Sequence, residues 1–238
     1  MANQKHTIKW GADGEGMDVR EPAGVGIIGC GNVLPLYLEN IAAFNNLSIR
    51  SCADILMAKA HDAAARFSIP KACTVDELLR DDEVDIVLNL TVPTAHVGVS
   101  LAALMAHKAV YTEKPIALAL SDAVTVRDEA AKRGLPVACA PDTFLGQAVQ
   151  TARDVIDRGA IGKPRLAVAS FAGGGDHSLA AGAGYLGPLY DIGPYYITNL
   201  VSLLGPVQSV LGLTANMLEH RPKADVGSTQ SVATLLVS

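Results

Sequence analysis

The chain has little charge and no run of one sign. Charged residues fill 18% of its 238 positions and the formal net charge is −5. There is no basic patch of the kind that holds nucleic acid or an anionic membrane surface. No apolar run is long enough to span a bilayer. The opening stretch MANQKHTIKW lacks the apolar core of a secretory signal. The four cysteines, Cys30, Cys52, Cys73 and Cys139, form no C-x-x-C pair and no metal-ligand spacing. Their expected state is that of reduced, partly buried thiols in a cytoplasmic protein, with no metal site.

Apolar residues are plentiful. They make up 50% of the chain, enough for a sizeable core, and their pattern changes along it. Residues 1–22 carry GADGEGMDVREP, polar and glycine-rich, and are expected to form a loose tail. From Gly24 onward, short apolar runs alternate with helical patterns. GVGIIG, LSIRSCAD, VDIVLNLT, AVYT and LPVACA read as strands. VLPLYLENIAAF, ILMAKAHDAAARF, VDELLRD, PTAHVGVSLAALMAH and SDAVTVRDEAAKRG read as helices, the last with Ser121 as N-cap and Gly134 as its stop. This alternation predicts an α/β domain over 23–143, a Rossmann-type parallel sheet covered on both faces.

After Pro141 the rhythm changes. FLGQAVQTARDVIDRG reads as a helix, AIGKP as a turn and RLAVASFAGG as a strand. PYYITNLVSLLG follows as a helix with Pro194 in its first turn. VQSVLGLTANML and STQSVATLLVS read as further strands. Residues 144–238 are therefore expected to be an α+β domain with a mostly antiparallel sheet. The chain stops inside its last strand, so this domain is expected to be truncated. Val232, Leu235, Leu236 and Val237 near that end then predict an uncovered apolar face and a homo-oligomer built on it.

Two stretches point to chemistry. In GIIGCGNVLPLYL, Gly29 and Gly31 form a G-x-G between a strand and a helix, with Leu34 where the usual fingerprint has its third glycine. Gly29 permits a tight turn. Gly31 lets the backbone approach a pyrophosphate at the helix N-terminus, along Cys30, Asn32 and Val33. Asp54 ends the second strand, 23 residues after Gly31, near the spacing of an acid that binds the adenosine ribose. It also has the alternative role of a helix N-cap. A carboxylate there repels a 2′-phosphate, and no cation follows before Lys59, so NAD is expected over NADP. The second stretch is KAVYTEKPIALAL, in which Glu113, Lys114 and Pro115 leave a strand that ends beside NLTVPTAH. Strand C-termini in such a sheet face the cofactor crevice, which puts Lys114 at its nicotinamide end.

With TEKP, the G-x-G loop, TVPTAH and the later GAIGKP in place, the chain resembles the Gfo/Idh/MocA oxidoreductases over residues 24–213. The resemblance implies NAD(P)-dependent hydride transfer to or from a secondary alcohol of a sugar, cyclitol or related polyol. It implies that Lys114 contacts substrate and assists proton transfer, and that Pro115 is cis. YDIGPYYI supplies Asp191 and Tyr195 in the place of the family's second catalytic motif. At i and i+4 they share one helix face, and the nearby lysine cation is expected to favour the Tyr195 phenolate. Either Tyr195 or Tyr196 is expected to serve in packing instead. Thr91, Pro93, His96, Glu113 and Lys114 fall near the cofactor, His96 having the alternative of a satisfied histidine at a helix start. Asp176 and His177 are further candidates for substrate contact. Relatives use the second-domain sheet to form dimers and tetramers. Some relatives keep the fold as non-catalytic nucleotide- or sugar-binding regulators, which is the rival reading.

Overall fold

The computed structural model of the chain describes residues 22–171, 188–215 and 230–236. Asp176, His177, Val237 and nearly all of the expected N-terminal tail lie outside the described residues.

Six parallel strands make the first sheet: β1 Ala23–Ile28, β2 Leu47–Ala53, β3 Ala72–Cys73, β4 Ile86–Asn89, β5 Ala109–Thr112 and β6 Val137–Cys139. Their order is β3-β2-β1-β4-β5-β6, the doubly wound arrangement with its switch point between β1 and β4. The central strands are apolar throughout because both of their faces are covered. Val25 and Ile27 of β1, with Leu88 of β4, pack on one face with Leu34, Ala60 and Ala63. Ile28 and Val87 pack on the other with Leu78, Leu104, Val110 and Val126. The first face is covered by α1 Leu34–Ile41 and α2 Met57–Phe67. The second is covered by α3 Val75–Arg80, α4 His96–Met105 and α5 Leu120–Arg133. Side chains such as Leu78 and Val126 are wholly buried, worth about 1.5–3 kcal/mol each.

Local signals end these helices. Thr74 and Glu77 form a reciprocal capping box at the start of α3, typically worth about 0.5–2 kcal/mol. Gly134 stops α5 with φ +64°, as expected. Ser121 is not its N-cap. The Ala119 carbonyl already accepts the Asp122 and Ala123 amides, so the helix starts at Leu120 and Ser121 lies within its first turn. All four cysteines are free. Cys52 and Cys73 are buried, and burial pushes the half-buried Cys139 thiol up to about 12.

Beyond Pro141 come a short 3₁₀ turn at Thr143–Leu145 and then α6 Gln147–Asp157, α7 Pro188–Asp191 and α8 Gly193–Leu204. Strands β7 Ser209–Ala215 and β8 Gln230–Leu236 pair antiparallel, with Val210 opposite Leu235 and Leu213 opposite Val232. The expected strand in RLAVASFAGG is absent from its described part. Residues 165–171 are all exposed and join no sheet among the described residues, since β7 and β8 pair only with each other.

Candidate active site

The C-terminal ends of β1, β2, β4 and β5 open on one edge of the parallel sheet, and the glycine loop, Asp54, Thr91, Glu113 and Lys114 lie at these strand ends. Gly29 turns the chain with φ +105°, and a Cβ at that position would lie 2.6 Å from the Leu90 backbone. Only glycine fits, which pins the loop against the end of β4. Gly31 is the opposite case: an added Cβ would meet nothing within 4 Å. An open cavity of about 440 Å³ lies beside it, lined by Cys30, Gly31, Asn32, Lys59 and Arg66 among others. No side chain caps α1, but in its first turn the Leu34 amide already donates to the Gly31 carbonyl and Pro35 has no N–H, so space for an anion lies at the loop rather than along the helix. Leu34, in place of the third glycine, is 1% exposed and fills the core between α1 and α2. These features fit a dinucleotide whose pyrophosphate lies over Gly31.

Asp54 holds this loop. Its Oδ2 accepts the Cys30 amide at 2.9 Å and its Oδ1 the Leu56 amide at 2.9 Å. It does not cap α2, whose N-cap position is Leu56. The carboxylate remains partly exposed at the end of β2.

A buried polar network lies under the crevice. Asn89, ending the otherwise apolar β4, donates to the His96 carbonyl at 3.0 Å and to Ser100 Oγ at 3.2 Å. Its own Oδ1 accepts the Thr91 hydroxyl at 2.6 Å. His96 is 1% exposed, with Nδ1 2.7 Å from the Pro115 carbonyl and Nε2 2.9 Å from that of Thr91. It therefore bridges the β4 and β5 exits from below rather than lining the crevice. Pro93 lies half-buried in the turn between Thr91 and α4.

Lys114 leaves β5 through a cis bond to Pro115. Its Nζ donates to Asp191 Oδ1 at 2.5 Å and to the Asp191 carbonyl at 2.7 Å, with only 14% of its side chain exposed. The Tyr195 ring centroid is 5.4 Å from the same nitrogen. The structure thus joins Lys114, Asp191 and Tyr195. Asp191 and Tyr195 do not share one helix, however: Asp191 ends α7, and the chain breaks at Ile192 before α8 begins. Nor is the phenolate favoured. Burial raises the Tyr195 pKa and outweighs Lys114, because Nζ faces the ring and is already paired with Asp191. Tyr196 packs against Phe171, centroids 6.3 Å apart.

Glu113 was expected to touch the cofactor. Both of its carboxylate oxygens are engaged within the protein: Oε1 accepts the Tyr37 hydroxyl at 2.6 Å, and Oε2 accepts the Lys114 amide at 2.9 Å. Sequence reasoning missed Tyr37 and Asn89. A polar residue closing a fully buried apolar strand was the available signal for Asn89. Nothing in the pattern marked Tyr37. Among the described residues, no group of three His, Cys, Asp or Glu side chains is arranged to hold a metal ion, and no helix is long and apolar enough to cross a membrane.

Comparison with known proteins bears on the whole arrangement. Residues 23–140 match the model of an oxidoreductase family with an NAD-binding Rossmann fold, GFO/IDH/MocA. Residues 149–236 match the GFO/IDH/MocA C-terminal domain. Myo-inositol 2-dehydrogenase of Thermotoga maritima is 24% identical over 143 residues, 60% of this chain. The dTDP-3,4-didehydro-2,6-dideoxy-alpha-D-glucose 3-reductase of Streptomyces violaceoruber is 34% identical over 150 residues, 62% of this chain. The chain spans 43% of the length of each of these two relatives. In fold it is similar to GenD2 from gentamicin A biosynthesis in complex with NAD, with a TM-score of 0.74 and 22% identity, over 96% of this chain and 66% of that one.

Proposed function

The chain belongs to the GFO/IDH/MocA oxidoreductase family, and from that premise we propose that it transfers hydride between NAD and a secondary alcohol of a sugar, cyclitol or related polyol. The observation that carries the reading is the meeting of Lys114 with Asp191 across the two halves of the chain. When bound, the nicotinamide supplies the hydride acceptor. The protein's own residues do the rest. The substrate hydroxyl takes the place of the Asp191 carbonyl on Lys114 Nζ, and the ammonium stabilises the developing alkoxide. The hydroxyl proton passes by way of Lys114 to the Asp191 carboxylate. Tyr195, held protonated by burial, orients the substrate as a hydroxyl donor. The two halves supply proximity by fixing the alcohol against the crevice.

Asp54 supports NAD over NADP, because a carboxylate at the ribose end disfavours a 2′-phosphate. Leu166, Val168, Phe171, Val210 and Leu211 are more than half exposed, which supports a homo-oligomer joined through the second half. Sedimentation at micromolar concentration tests this, and a monomer overturns it.

The deciding experiment for the reaction is titration of NADH fluorescence, followed by a polyol panel with NAD. Binding and oxidation of at least one polyol are expected. NADH binding without turnover across the panel overturns the enzyme in favour of a nucleotide-binding regulator. Absence of NADH binding overturns both.

A further inference from the structure

We infer that Tyr37 is a positioning residue for Lys114, acting through the Glu113 carboxylate, and that it links the helix behind the dinucleotide loop to the reacting end of the crevice. The position of Lys114 in the chemistry rests on the reading above. The link itself rests on geometry.

Tyr37 stands on α1, three residues after Leu34, whose burial between α1 and α2 fixes that helix on the sheet. Its ring meets the Tyr111 ring of β5 edge-on, with centroids 6.2 Å apart and an interplanar angle of 69°. This contact sets the ring where its hydroxyl reaches Glu113 Oε1 at 2.6 Å. The other Glu113 oxygen receives the Lys114 amide at 2.9 Å, and the Glu113 amide is held by the Asn89 carbonyl at 2.9 Å. The carboxylate is therefore a clip. One oxygen is anchored on α1, and the other holds the backbone from which the Lys114 side chain sets out toward Asp191.

The clip needs a protonated phenol and an ionised carboxylate together. Burial and the neighbouring Glu113 both raise the Tyr37 pKa, as do the facing Tyr111 and Asp142, so the hydroxyl keeps its proton. A hydrogen bond to a charged acceptor is among the stronger kinds. Packing alone would have been served by phenylalanine.

Tyr37→Phe keeps the ring against Tyr111 and removes only the oxygen. The measurement is the rate at which N-hydroxysuccinimidyl acetate acetylates Lys114, read by peptide mass spectrometry against the exposed Lys163. Loss of the anchor is expected to raise Lys114 labelling about fivefold, the scale of one hydrogen bond, with the melting temperature nearly unchanged. Glu113→Gln is expected to do the same, and the double variant to exceed neither. With NADH bound, labelling is expected to fall further in the wild type than in Tyr37→Phe. Unchanged labelling in Tyr37→Phe, or additive effects in the double variant, overturns the link. If Tyr37→Phe does not fold, Glu113→Gln alone decides: unchanged labelling overturns the inference and raised labelling supports it. The assay without nucleotide does not depend on catalysis, so failure of the proposed reaction and failure of this link are told apart.

Discussion

The two halves of the chain are built on different terms. Residues 22–141 enclose two apolar clusters, one on each face of the parallel sheet, with side chains at 0–5% exposure. Between Asp142 and Gly212 no described residue is buried. The second half has regular helices and a strand pair, and Arg153 of α6 ties to the Ser202 carbonyl of α8, but it closes no core of its own among the described residues. The lesson is a division of tasks. The first half fixes Lys114 from behind through Glu113, Tyr37 and His96. The second delivers Asp191 and Tyr195 to it across a lightly packed seam.

Four experiments would break or sharpen that contrast. The largest effect belongs to Lys114→Ala, which under the proposed reaction loses about 10²–10⁴-fold in turnover while NADH affinity stays nearly intact. A loss of cofactor affinity instead would move the lysine out of the chemistry. Next, Leu78→Ala in the core of the first half is expected to cost about 2–5 kcal/mol in denaturant melts. Val201→Ala in α8 should cost less than about 1 kcal/mol. Equal costs would mean that both halves share one core. A third test contrasts the two loop glycines. Gly29→Ala should destabilise the fold by about 1–3 kcal/mol through its positive φ and close backbone neighbour. Gly31→Ala should leave the melting temperature alone and weaken NADH binding about tenfold, equivalent to about 1.4 kcal/mol.

The smallest effect is in acid. The Thr74 amide and hydroxyl lower the Glu77 pKa, and Lys71 lowers that of Asp81. A carboxyl group whose folded pKa lies below its unfolded value contributes stability above the unfolded value, and that contribution is lost as pH falls through the folded one. Glu77→Gln, which removes the titrating carboxylate, should therefore flatten the acid fall of the melting temperature measured from neutral to acidic pH. An unchanged slope would show that the capping box carries none of it.

The first half was largely legible because buried parallel strands announce themselves as continuous apolar runs. β5 was read at its true limits from AVYT alone. β3 was not, since two residues make no pattern. At the site, the strand pattern placed Lys114 at the crevice, and the family resemblance nominated Asp191 and Tyr195 beside it. Neither could show that the helix breaks at Ile192, or that the lysine faces the tyrosine ring rather than its hydroxyl. Leu34 counted against the glycine fingerprint as a one-dimensional motif, yet in three dimensions it is a core residue. RLAVASF has the apolar alternation of a strand, but a strand also needs a neighbour, which no periodicity reveals. Tyr37 pairs with Glu113 across 76 positions, a distance at which pattern carries no signal.

The strand order has a consequence for the newborn chain. Val25 of β1 pairs with Ile49 on one side but with Ile86, 61 residues later, on the other. At ribosomal speeds of about 5–20 residues per second, the central strand waits about 3–12 s with one edge open. Gly29 also packs on Leu90, so the glycine loop cannot take its final shape until β4 has emerged and docked. Such non-local pairing makes for slow folding. A dinucleotide therefore stabilises the finished sheet by mass action and comes too late to template its first strands. During synthesis the burden of shielding β1 falls on the growing chain itself, and on whatever chaperone meets it first.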